Sequence, residues 1–243
     1  MKSTNSSILT LMAFLFLTST ACSQNWGNST GITGEGPSVT KTLDIASIDG
    51  LKLAISADVY IKQGNSQSVK IEAQQNIIDN LKKEVKDGAW KIGFDKNVRK
   101  HESIKIWIVV PSIDELSVSG SGSIIGEGKF SNLGDLALAI SGSGNIQFNA
   151  DSKNLTVAIS GSGDMKLAGS TGETTMAISG SGNIGAFDLN SRTCTVKISG
   201  SGDSSVNVSE SLEVAIAGSG DVYYKGKPSV RSKISGSGEV VSK

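Results

Sequence analysis

Residues Leu155-Thr-Val-Ala-Ile-Ser-Gly-Ser-Gly-Asp-Met-Lys-Leu167 decide how this 243-residue chain folds. Before the glycines every second residue is apolar (Leu155, Val157, Ile159), and after them the alternation resumes with Met165 and Leu167. A period of two is that of a strand. The phrase recurs seven times, with its first glycine at Gly120, Gly142, Gly161, Gly180, Gly200, Gly218 and Gly236. So regular a period, about 20 residues, means stacked coils, none of which can bury its apolar face alone. A flexible Gly/Ser linker would not keep Val or Ile two positions before the first glycine in all seven copies.

Stacked in register, the copies bring like residues about 4.8 Å apart in continuous columns. Three columns face inward before the turn: Leu136 to Leu155, Thr174, Cys194, Leu212 and Val230; Leu138 to Val157, Met176, Val196, Val214 and Ser232; and Ile140 to Ile159, Ile178, Ile198, Ile216 and Ile234. The same alternation turns Gly161 and Gly163 inward at a corner with no room for a Cβ, where glycine also permits a positive φ. Ser160, Ser162 and Asp164 then face outward. The expected fold is all-β, a parallel β-helix of about seven coils over 116–243. A β-rich region over 39–115 precedes it, packed on the coils or continuing them. In that region Leu51–Ile55, Val59–Gln63, Val69–Ala73, Ala89–Phe94 and Ile104–Val110 read as strands. Ile77, Ile78, Leu81 and Val85 fit one helix of about three turns over Asn76–Lys86.

Composition removes several classes of function. Lys+Arg and Asp+Glu are both 23, so no cationic surface for nucleic acid is expected. One His and two Cys leave little from which to build a zinc site or a His-based triad. Glycine is abundant at 29 residues, yet only 3 prolines and 37% hydrophobic residues describe a packed chain rather than a disordered one.

Residues 1–21 read as an export signal. Lys2 precedes an apolar run from Ile8 to Leu17, too short to span a bilayer, and Thr18-Ser-Thr-Ala21 leads to Cys22. A small residue before cysteine resembles the lipobox of bacterial lipoproteins, in which Cys22 becomes the lipidated first residue of the mature chain. Ser19 stands where leucine is usual. Residues 22–38, with Gly27, Gly31, Gly34, Gly36 and Pro37, read as the lipidated cysteine and a flexible tether. Ser23 after Cys22 resembles the signal for sorting to the outer membrane. The expected partner is therefore a membrane, through a lipid anchor at Cys22.

Ala57-Asp-Val-Tyr-Ile-Lys-Gln-Gly64, Val69-Lys-Ile-Glu-Ala73, the stretch from Leu81 to Phe94, Ile106-Trp-Ile-Val-Val-Pro111 and the Ser-Gly-Ser-Gly series follow one another in specific order. Together they resemble the head GIN domain family, the auto-transporter adhesins common among exported lipoproteins of Gram-negative bacteria. The resemblance covers about Leu43 to Val222. It implies a right-handed β-helical body on a cell-surface or periplasmic protein, and it carries no catalytic residues with it.

Few residues invite a chemical role. His101, between Lys100 and Glu102, reads as a solvated loop histidine, and Cys194 as a buried structural thiol. Trp90 and Trp107 lie in strand runs and read as core. The residues after the turns are Ser123, Asn145, Asp164, Asn183, Asp203, Asp221 and Glu239. Gly-Ser-Gly-Asp echoes calcium-binding nonapeptide repeats, but those recur at half this period and supply ligands from two facing turns. A hydrated turn column is the expectation. No Gly-Lys-Ser/Thr follows any turn, so the phosphate-loop reading fails. Asp164 and Asp203 could serve as acid and base only in a cleft, which a regular ladder does not offer. The sequence thus predicts a non-enzymatic outer-membrane lipoprotein acting in adhesion or envelope scaffolding through a repetitive polar face, without cofactor or metal, with a glycan or protein ligand. The alternative is a carbohydrate-active enzyme or glycan-binding module on the same frame.

Overall fold

A computed structural model describes residues 31–243. The seven copies stack as parallel strands, with Ser119, Ser141, Ser160, Ser179, Ser199, Ala217 and Ser235 paired one above the next, and the glycines after them likewise. Long strands run from one Ser-Gly-Ser-Gly corner to the next, as in Asn145–Gly161, Asp164–Gly180 and Asn183–Gly200. The inward columns are buried: Val157, Ile178 and Cys194 are 1%, 2% and 3% exposed. Ser160, Ser162 and Asp164 are exposed, as the alternation requires.

The two glycines of each corner have different duties. The first takes a positive φ, +125° at Gly161, a conformation that side chains rarely adopt. The second is buried with ordinary φ, but its neighbours leave no space. A Cβ at Gly163 would strike the Gly144 carbonyl oxygen and lie 2.7 Å from Ile140 Cγ2. The backbones of successive corners are in contact, and that closeness admits nothing larger than glycine.

The N-terminal region continues the solenoid rather than forming a separate layer. Leu51 and Leu53 pair in register with Leu116 and Val118, and Val59 and Ile61 with Ile124 and Gly126. The coil order is not the chain order. The coil made by Gly50–Leu53 and Asp58–Gln63 lies between the first repeat and a later coil made by Ala89–Ile92 and Lys105–Val110. Beyond that outermost coil, Ser68–Gln74 runs antiparallel to Lys105–Val110, and Ser38–Leu43 antiparallel to Ser68–Gln74. Ile77, Ile78 and Leu81 join the same apolar core at this end. Pro111 stands between the last strand of this region and Glu115–Gly120.

Three expectations are corrected. Residues 31–38 are not part of a flexible tether: Ile32 and Thr33 pair in parallel with Val98 and Lys100, and Gln74 Nε2 donates to the Gly36 carbonyl oxygen at 2.9 Å. The helix is five residues, Gln75–Asp79, not the three turns drawn over Asn76–Lys86. The Asn80 side chain ends it by bonding the Lys96 backbone in both directions, at 2.8 and 3.0 Å. Val85–Lys86 then pairs antiparallel with Ala89 and Trp90 through a turn with positive φ at Asp87 and Gly88. Asp-Gly is a strong hairpin signal, and it prevails over the helical spacing of Leu81 and Val85. At the other end, the first strand of the last coil is not buried, although Val240 later in that coil packs against the core. Strand Ser229–Gly236 is exposed throughout, with Val230 at 36% and Ile234 at 42%, because among the described residues it pairs on one side only, with Ser211–Gly218.

Candidate binding face

The two outward positions nearest each corner are mostly small, with Lys197 and Lys233 the exceptions. Ala139, Ala158 and Ala177 form one column, and Ser141, Ser160 and Ser179 the column beside it. Alanine reaches only one carbon above the sheet, so the surface sinks into a shallow trough of about 830 Å³. It runs from Ser117 to Lys233, across all seven repeats, a length of about 29 Å at one strand spacing per coil. Its lining is mostly apolar. The exposed hydroxyls of Ser141, Ser160 and Ser179 run along it, and Lys197 and Lys233 rise from the fifth and seventh coils, with Ala215 between them. Among the described residues, ion pairs join Lys52 to Glu115, Lys129 to Asp151 and Arg192 to Glu210, so neither trough lysine is neutralised. The repetitive face is therefore less polar than serine counting suggests. Sequence reasoning followed the inward residues and overlooked the trough; its signal was the recurrence of Ala midway between Leu138 and Ile140, Val157 and Ile159, and Met176 and Ile178.

The acidic column lies past the corner and holds itself together. Asp164 Oδ1 accepts from the backbone N–H of Asn183 at 3.2 Å and from its Nδ2 at 2.9 Å. Asn183 Oδ1 accepts from the N–H of Asp203 at 3.1 Å. The carboxylates of Asp203 and Asp221 each accept, at 2.8 Å, from the N–H one coil above, on Asp221 and Glu239. Asp and Asn are used here because a side-chain oxygen reaches a backbone donor at the bend. Among the described residues, no group of three or more His, Cys, Asp or Glu side chains is placed to hold a metal ion. Asp164 and Asp203 do not face each other across a cleft; Asn183 stands between them in the ladder. Tyr223 donates to Asp221 Oδ2 at 3.0 Å, and that bond to an anion raises the phenol pKa above its usual value.

Three residues named in the sequence lie elsewhere. Cys194 is buried among the columns, and loss of solvation pushes its thiol up to about 12, which makes it inert. His101 is half-buried beside Phe94, with ring centroids 6.2 Å apart. Cys22 lies outside the described residues. The two tryptophans differ. Trp90 is core, its Nε1–H donating to the Lys82 carbonyl at 2.9 Å. Trp107 is not core: it occupies the outward position between Ile106 and Ile108 and stacks on Tyr60, with centroids 5.8 Å apart and planes 15° from parallel. Among the described residues, no helix is long and apolar enough to cross a membrane.

No curated protein is similar enough to this chain to count as a relative. Solved structures are. A protein of Bacteroides fragilis NCTC 9343 described as a "putative adhesin" is 25% identical, with TM-score 0.80 over 88% of this chain and 100% of its own. One of Parabacteroides distasonis ATCC 8503, described as a "putative lipid binding protein", is 26% identical, with TM-score 0.73 over 87% of this chain and 99% of its own. A second P. distasonis protein, 22% identical with TM-score 0.73 over 88% and 100%, shares the fold. None of these names is that of an enzyme. The profile of one family matches residues 48–228, and the chain belongs to that family, the "putative auto-transporter adhesin, head GIN domain".

Proposed function

We propose that the chain is a non-enzymatic adhesin of the cell envelope, which meets an elongated ligand along the trough of Ala139, Ala158 and Ala177. The observation that carries this reading is the unbroken course of the trough over seven coils. A linear ligand laid along it would meet similar small side chains on most coils, with Lys197 and Lys233 in the same column, and many weak contacts give avidity without a deep pocket. In this reading Cys22 is lipidated and tethers the body to the outer membrane, with the residues before strand Ile32–Thr33 as spacer. Two acyl signals or more are needed for stable anchoring, which a lipoprotein cysteine would supply.

The full chain, purified in mild detergent and coupled to beads, tests the trough against immobilised polysaccharide, glycoprotein and phospholipid vesicles. Ala158→Glu with Ala177→Glu places two carboxylates on the exposed floor, so stability should change by no more than about 0.5 kcal/mol at each site while retention is lost. Retention unchanged by the double variant would defeat the reading. A second reading, that the trough holds an acyl chain, is favoured by its apolar lining and by the relative described as lipid binding. Retention on vesicles alone would select it. Anchoring is tested separately: Cys22→Ser should stop palmitate labelling and release the protein from membranes, and labelling equal to that of the parent would refute it.

A further inference from the structure

At the N-terminal end of the solenoid the corners lose their glycines, and a second recess opens. Ser56, Asp58, His101, Glu102, Ser103 and Ser121 surround about 270 Å³, and the lining is predominantly polar. Its groups are held in place. The Ser38 hydroxyl donates to Glu102 Oε2 at 2.8 Å, and the Glu102 N–H donates to Gln74 Oε1 at 3.1 Å. His101 Nδ1 donates to the Glu102 carbonyl oxygen in the tautomer that this contact favours, which leaves Nε2 as an acceptor. Asp58 stands in register beside Lys105 without forming an ion pair with it.

The chemistry of this set excludes most ligands. Two carboxylates repel an anion. Among the described residues, Asp58, His101 and Glu102 do not form a three-ligand metal group. The separated acceptors and the serine hydroxyls suit a ligand rich in hydroxyls, long enough to touch several of them together. Two positions along the same strands, about 7 Å from Asp58 and Lys105, the outward pair Tyr60 and Trp107 adds half-exposed aromatic surface. A hydroxyl-rich molecule with an apolar C–H face is a saccharide. We infer that this recess and the aromatic pair beside it form a binding site for one or two units of a neutral glycan, a site separate from the trough and independent of its proposed role.

A glycan array of neutral and acidic oligosaccharides, probed with the full chain in mild detergent, tests the inference. Retention is expected on neutral glycans, and titration of the retained oligosaccharide should change Trp107 fluorescence. Trp107→Ala and Asp58→Asn should each weaken that binding by about tenfold, while the trough variant Ala158→Glu leaves it unchanged. Because Trp107→Ala removes packing on Tyr60, Trp107→Phe is the control and should retain most of the affinity. The inference is overturned by an array with no neutral glycan retained, by binding that Trp107→Ala and Asp58→Asn leave intact, or by binding abolished with a chelator, which would assign the recess to a metal instead.

Discussion

Cys194 lies in the column of Leu155, Thr174 and Leu212, and burial there holds its proton. Below about pH 9 the thiol is protonated in folded and unfolded chains alike and does not affect stability. Above it the unfolded chain releases a proton that the folded chain keeps toward pH 12, so stability falls by about 1.4 kcal/mol per unit over that window. Cys194→Val should remove this part of the alkaline loss, read as the difference between the two proteins in urea melts at pH 8 to 11; identical slopes would place the thiol in water. The corner glycines are a sterner constraint. Gly163→Ala forces a methyl group against the Gly144 carbonyl oxygen and Ile140, and should cost more than about 3 kcal/mol or prevent folding, whereas Ser162→Ala next to it should stay within about 0.5 kcal/mol. Equal melting temperatures for the two variants would mean that the corners are not in contact. Both residues were legible in the sequence, because strict alternation from Ile159 to Met165 fixes which atoms face inward. Trp107 was not: aromatic character suggested core, but its parity between Ile106 and Ile108 put it outside.

Among the elements, the ladder of Asp164, Asn183, Asp203 and Asp221 ties each coil to the next through side chain and backbone. Asp203→Ala and Asp221→Ala each remove an acceptor from a backbone N–H and should cost about 1 kcal/mol, while Asn at the same positions keeps the acceptor and most of the stability. Thermal melts with and without calcium check this. A saturable rise in Tm with calcium, absent from the double Asn variant, would convert the ladder into an ion site. The turn preference of Asp and Asn could be read in the sequence, but the donors that their oxygens meet could not, since those lie a whole coil away along the chain. The short helix failed for a related reason. Spacing of Ile77, Ile78, Leu81 and Val85 measures only local periodicity, and Asn80 and Asp87-Gly88 answer to tertiary partners and turn chemistry instead.

Across the whole molecule the solenoid has two unlike ends. One carries antiparallel strands, a helix and a hairpin; at the other, Val230 and Ile234 are open to water. In stacked repeats stability is close to a sum of coil and interface terms, so fraying starts at the weaker end. Amide exchange should be fastest over 229–242 and slowest in the strands from Leu136 to Ile198; uniform protection along the chain would contradict a nearest-neighbour stack. The regular return of Ser-Gly-Ser-Gly made this architecture readable from the chain alone. The fold-back that places Gly50–Leu53 between Ala89–Ile92 and Glu115–Gly120 was not readable, because no repeat marks coils assembled out of sequence order. The proposed function rests on the face that the repeats keep mostly small. Hydroxyl-radical footprinting of the bead-bound protein, before and after attachment to the surface that retains it, tests that claim most directly. Protection should fall along the strands carrying Ala139, Ala158 and Ala177 and their neighbouring serines, on several successive coils at once. Attachment that leaves those strands as reactive as in the free protein, with protection elsewhere, would contradict the account.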